Sequence, residues 1–250
     1  MIAFKRLWFG CGIMCLAYSV LAAEPLSYES PATRVDVVEL FTSHGCSSCP
    51  PADAWLSRLD ERTDLWHGVI PLAFHVDYWD YLGWRDSFAS PSFSQRQREY
   101  RRSGGLSSVY TPGMLVNGEE WRGWYRGQPM PRAESENIGR LRLRVEPDRH
   151  AVIEFSPENG QSAVDFKANL AILGSGIKSD IGAGENRGRT LVEDFIVLGH
   201  AVTSKEIAKN TWRVTWPELK PNTASRYAVV GWLSRDDSPA PLQAVGGWLP

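Results

Sequence analysis

Apolar positions along the chain change period several times, and each change marks an expected element. Arg34 to Phe41 reads Arg-Val-Asp-Val-Val-Glu-Leu-Phe, β-branched and apolar and followed by turn residues, which predicts a buried strand. Ala52, Trp55, Leu56 and Leu59 then fall at i, i+3, i+4 and i+7, one face of a helix. Gly68 to Val76 is a second apolar run and predicts a second strand. Ser90-Pro91 opens a helix that stops at Ser103-Gly104-Gly105. Thr111-Pro112 leads into Met114-Leu115-Val116 and the Asn117-Gly118 turn, a hairpin signal, and a last helix is expected from Arg132 to about Ile138. The expected order is strand, helix, strand, helix, strand, strand, helix.

After Gly139 the texture becomes short β-rich segments: 141–145, 151–155, 166–173, 190–198, 212–216 and 227–233. Strands spaced by roughly ten residues, with Gly and Pro turns between them, suggest a sandwich-like second unit over 139–250, following a first unit over 31–138. The glycine-rich run Gly182 to Gly188 lacks the strand-to-helix context of a phosphate cradle and reads as a hairpin or loop.

At the N-terminus, Lys5 and Arg6 precede an apolar stretch from Leu7 to Leu21, and Ala22 and Ala23 supply small residues for cleavage. That is the pattern of a signal peptide over 1–23, with an apolar run shorter than the ~20 residues a membrane span needs. Periplasmic or secreted localisation is therefore expected, with no membrane span after cleavage. The composition is that of a globular protein, 43% hydrophobic and 22% charged, and the net charge of −2 falls to about −4 once Lys5 and Arg6 are removed. A mildly acidic chain is a poor partner for nucleic acid.

Cleavage would also remove Cys11 and Cys15, leaving Cys46 and Cys49 in the run Thr42-Ser43-His44-Gly45-Cys46-Ser47-Ser48-Cys49-Pro50-Pro51. Closing so small a ring removes only ~2 kcal/mol of chain entropy, against ~4.7 for a 100-residue loop, so a staple would be spaced further apart. A zinc half-site would need two more ligands, and no second cysteine pair survives. A thiol–disulfide site is the reading the pair supports best. Lying between a strand and a helix, Cys46 is the expected nucleophile, favoured as thiolate by helix N–H groups. Cys49 is the expected resolving thiol.

The order of elements, the Cys-x-x-Cys at the first helix and the Thr-Pro before the third strand resemble the thioredoxin-like fold. More narrowly, VELFTSHGCSSCPPAD, FHVDYWDYLGW, YTPGMLVNG and GENRGRTL look like an uncharacterised family of secreted bacterial thioredoxin-like proteins classed as a domain of unknown function. The resemblance runs from about Val35 to near the C-terminus. It implies an α/β thioredoxin-like fold, to which the strand spacing adds a C-terminal all-β, sandwich-like subdomain. It also implies a cis Pro112 beside the disulfide, Thr111 offering backbone groups to a bound peptide, and Glu39 as a buried acid that takes the proton of Cys49. The chain departs from that pattern at Ser47-Ser48 and in lacking a tryptophan before Cys46, so direction of exchange is not legible.

His44 is a candidate for lowering the Cys46 pKa when protonated, and with Thr111 and Pro112 it is a candidate for substrate contact. Tyr78 and Trp79, in the aromatic run that follows the second strand, are candidates for substrate contact. His75 and Asp77, two apart on a strand, can face the same site. The expected partners are protein or peptide thiols and disulfides; no cofactor is expected and no residue is assigned to a metal. Two alternatives stay open: handling of copper or another metal through Cys46, Cys49 and a histidine, since soft thiolates favour cuprous ion, and a non-catalytic envelope binding protein.

Overall fold

The computed structural model describes residues 25–133, 136–158 and 166–250; the expected signal peptide, with Cys11 and Cys15, lies outside the described residues. The first part of the chain forms β1 (Ser27–Glu29), β2 (Asp36–Thr42), α1 (Pro50–Ser57), β3 (Val69–His75), α2 (Pro91–Ser103), β4 (Gly113–Val116) and β5 (Glu119–Glu120). Then follow β6 (Gly139–Glu146), β7 (His150–Pro157), β8 (Phe166–Ser175), β9 (Ile177–Asp180), β10 (Thr190–Glu193) and β11 (Ile196–Thr203). The last strands are β12 (Glu206–Ala208), β13 (Thr211–Thr215), β14 (Arg226–Arg235) and β15 (Pro241–Trp248). No helix among the described residues is long and apolar enough to cross a membrane.

The main sheet has eight strands in the order β15-β14-β8-β11-β3-β2-β4-β5. β2 and β3 pair in parallel, Asp36 with Val69 through Thr42 with His75, and α1 lies in the crossover between them. Every residue of both strands is buried, as expected where both faces of a sheet are covered. Alternation along the strands then sorts the side chains. Glu39, Phe41 and Phe74 face α2: Tyr100 donates its hydroxyl to Glu39, and the rings of Phe41 and Phe74 lie 5.7 Å apart. Thr42 and His75 face the other way, toward Asp53 of α1.

A second core forms where Leu141, Leu143, Ile153 and Phe155 of a five-stranded sheet, β1-β6-β7-β13-β12, meet Leu170, Ile172, Val229 and Leu233 of the main sheet. β9 and β10 make a separate two-stranded hairpin.

The expectation of an α/β thioredoxin-like fold with a separate all-β subdomain is corrected here. The described residues carry fifteen strands and only two α-helices, so the protein is mainly β. Four strands from beyond residue 139 do not form a sandwich of their own. β11 pairs with the free edge of β3 at Ile196 and Ala73, and β8, β14 and β15 continue the same sheet outward. β8 and β14 are long buried runs, and pairing them into the main sheet satisfies backbone groups that would otherwise be buried without partners. No helix is found among the described residues of 132–138; Ile138 and Gly139 instead donate to the Ala32 carbonyl.

α2 begins and ends as its sequence signals require. Ser90 accepts from the Ser92 N–H, Pro91 fills the first helical position, and Gly104 at φ +87° ends the helix. Its buried stripe nevertheless contains Arg96 and Gln97 beside Phe93 and Tyr100. Arg96 grips the Glu39 carboxylate with Nε at 2.7 Å and Nη2 at 3.1 Å, and also donates to the Pro239 carbonyl at 3.1 Å. Burial works against the Arg96 charge, and Glu39 outweighs it. Removing one member of such a pair strands a charge in the interior. Arg96→Met should lower the unfolding free energy in urea by about 3–5 kcal/mol, whereas Glu39→Leu combined with Arg96→Met should cost much less than the single change.

Candidate functional site

β2 runs out at Thr42, and the chain turns sharply, the Cys46 N–H donating to the Ser43 carbonyl at 3.1 Å. Gly45 sits in this turn because nothing larger fits: a Cβ there would lie 2.8 Å from Cβ of Trp79. Cys46 and Cys49 are joined in a disulfide. Cys46 is 2% exposed and Cys49 0%, while Ser47 and Ser48 between them are exposed. The Cys46 sulfur lies 3.4 Å from the Ser48 hydroxyl.

Cys49, not Cys46, occupies the N-cap of α1. Pro50 and Pro51 have no N–H, and those of Ala52 and Asp53 both go to the Cys49 carbonyl, at 2.8 Å and 3.1 Å. The Ser47 N–H is taken by the Glu185 carboxylate at 3.0 Å. The expected stabilisation of a Cys46 thiolate by helix amides is therefore weak, because the donors are missing or engaged.

The glycine-rich run joining β9 to β10 closes over the disulfide loop. Besides the Glu185 contact, the fully buried Asn186 side chain donates to the carbonyls of His44 at 2.8 Å and Cys46 at 3.0 Å. Gly182 and Gly184 let this run pass close to Trp84.

Beneath the disulfide loop lies a cluster of ionisable groups on the α1 side of the sheet. His44 and His75 are each 1% exposed, Asp86 and Glu193 are 3%, and Asp53 is 8%. His75 Nδ1 lies 2.8 Å from Asp86 Oδ2, and His44 Nε2 lies 2.8 Å from Glu193 Oε2. The backbone N–H of His44 also donates to Asp86 at 2.9 Å. Burial, and then the Glu193 carboxylate, push Asp53 up to about 8. For His75, burial would lower the pKa, but Asp86, Glu193 and Asp53 outweigh it and hold it at about 9. Burial likewise opposes ionisation of Asp86, yet the two imidazoles keep it well below the carboxylate range.

On the other side of the disulfide is a groove of about 330 Å³, lined by Ser48, Tyr110, Pro112, Arg122, Trp124 and Tyr125. The Thr111–Pro112 peptide is cis. Tyr110 is fixed by donating to Glu120, which Arg122 contacts at 2.7 Å, and Arg122 also lies over the Tyr110 ring at 5.1 Å. Burial would raise Glu120, but the hydrogen bonds from Tyr110, Ser107 and Arg122 hold it at about 2.

Four of the candidate residues, Glu39, His44, Tyr78 and Asp77, are not where the sequence suggested. Glu39, expected to serve Cys49, is on the opposite face of the sheet, held by Arg96 and Tyr100; one residue of strand parity separates it from Thr42, which faces the cluster. His44 points inward to Glu193 and offers no surface to a substrate. Tyr78 is half-buried and donates to Gln97 of α2 at 3.0 Å, away from the groove. Trp79 wedges between Gly45 and Thr111, donating its Nε1–H to Thr111 Oγ1 at 2.7 Å. Asp77 binds Ser94 and not His75.

The sequence pattern does not single out Asp53, Asp86 or Glu193. Their one local signal was acidity on otherwise buried faces, Asp53 beside Ala52 and Leu56, and Glu193 after Leu191.

Two solved structures resemble the chain. A crystal structure of a protein from Agrobacterium tumefaciens is 26% identical with a TM-score of 0.53, covering 85% of this chain and 94% of that one. The structure of HBP35 of Porphyromonas gingivalis, at 14% identity, has a TM-score of 0.56 and covers 87% of this chain and 76% of that one, a likeness of fold alone. No curated protein matches the sequence. The family described as protein of unknown function (DUF1223) matches residues 37–233, and the chain belongs to that family.

Proposed function

We propose that the protein exchanges disulfides with protein or peptide thiols through Cys46 and Cys49, outside the reducing cytosol. The observation that carries this reading is a disulfide whose ring holds two exposed serines, one of which, Ser48, lines an aromatic groove. In the reduced protein, the Cys46 thiolate attacks a partner disulfide, forming a Cys46–partner bond and releasing one partner thiolate. The Cys49 thiolate then attacks the Cys46 sulfur, closing the ring and releasing the second partner thiolate. Two electrons pass to the partner, and the protons released by the two cysteines reappear on its thiols.

Access to Cys46 runs past Ser48, whose hydroxyl touches the sulfur and whose side chain lines the groove. Tyr110, Trp124 and Tyr125 supply flat contact area for a peptide laid across it. With few donors aimed at Cys46, the thiolate is not favoured over the ring, which supports work as a reductant of partner disulfides.

The near-complete burial of both cysteines supports a second reading, an inert cross-link. Trapping separates the two. Cys49→Ala should accumulate a mixed disulfide with a peptide disulfide, seen by intact mass, while Cys46→Ala should not; failure of both to react with the fold intact favours the cross-link. Trp124→Ala should slow exchange with an aromatic peptide disulfide about tenfold, equivalent to ~1.4 kcal/mol, and leave reduction by dithiothreitol unchanged. Asn186→Ala, which frees two carbonyls of the loop, should cost about 1–3 kcal/mol of stability and speed dithiothreitol reduction, followed by stopped alkylation.

A further inference from the structure

The groups beneath the disulfide are arranged as metal-binding groups are. One ring nitrogen each of His44 and His75 and a carboxylate oxygen of Glu193 all lie within 4.8 Å of one another, and all three residues are buried. In a compact N/O site with bonds of about 2.0–2.2 Å, neighbouring donor atoms stand roughly 3–3.5 Å apart. His44 Nε2 to Glu193 Oε2 is 2.8 Å and His75 Nε2 to Glu193 Oε1 is 3.7 Å, so small adjustments would admit an ion.

His75 Nε2 is the telling atom. Its side chain is 1% exposed, it has no hydrogen-bond partner, and it is directed at Glu193. Leaving a buried imidazole nitrogen unpaired carries a desolvation cost that a ligand would remove. The opposite nitrogen, Nδ1, is held by Asp86 at 2.8 Å, the outer-shell arrangement that fixes a ligating histidine's tautomer and ring orientation. His44 Nδ1 stands 3.5 Å from Asp86 Oδ1 and accepts from Trp84 Nε1–H at 3.5 Å, so both rings turn Nε2 toward Glu193.

The cluster is also short of positive charge. Three buried carboxylates, Asp53, Asp86 and Glu193, stand with the two buried imidazoles of His44 and His75.

From this geometry we infer a binding site for one divalent transition-metal ion, of the zinc class that takes imidazole and carboxylate ligands, formed by His44, His75 and Glu193. Asp86 acts as the positioning residue. The cysteines are not ligands, which separates this site from metal handling through Cys46 and Cys49. An ion here would tie together the disulfide loop, β3 and the β9–β10 hairpin, which otherwise meet through side chains far apart in sequence.

The test uses the mature protein with its disulfide intact, stripped by a chelator and titrated with Zn²⁺ by calorimetry and with Co²⁺ by absorption. One equivalent should bind, the melting temperature should rise, and the Co²⁺ spectrum should show no thiolate charge-transfer band. Binding should survive in Cys46→Ser/Cys49→Ser, fall at least about a hundredfold in Glu193→Gln and His75→Gln, and fall about 10–100-fold in Asp86→Asn. Failure of the unaltered protein to bind either ion overturns the site, whether or not the variants fold. So does binding that needs the cysteines or is unchanged in Glu193→Gln. Metal binding without disulfide exchange would leave the site standing and remove the redox reading; exchange without metal would do the reverse.

Discussion

The parallel register of β2 on β3 is the constraint from which the site follows. Pairing Thr42 with His75 and Phe41 with Phe74 assigns alternate residues to opposite faces, and a slip of one residue would exchange them. In the observed register, the charged pair Glu39–Arg96 is sealed beneath α2, while Thr42 and His75 open onto α1 and the disulfide loop. Both strands are buried throughout, so a slipped register would bring Glu39 out of reach of Arg96 and leave two charges unpaired in the interior.

Two buried polar systems thus lie back to back across one sheet, and they differ in balance. On the α2 side, one carboxylate meets one guanidinium with two hydrogen bonds, and a tyrosine and a backbone carbonyl complete the shell. On the α1 side, three carboxylates meet two imidazoles and one imidazole nitrogen has no partner. A closed system suits a structural role and an open one suits binding. The disulfide sits directly above the open one, its loop clamped by Asn186 and Glu185 from a hairpin that also delivers Glu193.

Elements governed by local chemistry were legible in the sequence. Ser90-Pro91 and Gly104 bound α2 as their side-chain and backbone properties require, and the apolar runs 34–41 and 68–76 correspond to β2 and β3. The cysteine pair lies at a strand-to-helix junction, as its flanking pattern suggested. What failed depends on distance along the chain. Nothing local tells Ile196 that it will pair with Ala73, so the strands beyond residue 139 read as a unit of their own. The cluster joins His44, Asp53, His75, Asp86 and Glu193, and only a folded sheet brings them together. Glu39 lies on the α2 face because parity, not proximity in sequence, decides which face a strand residue occupies.

The most direct measurement is a redox titration of the mature protein in glutathione buffers, with intact-mass readout after alkylation. The account requires a reversible two-electron transition of the Cys46–Cys49 pair in the native state, with a midpoint on the reducing side of about −200 mV. A disulfide that stays closed to reductant until denaturant unfolds the chain would contradict it.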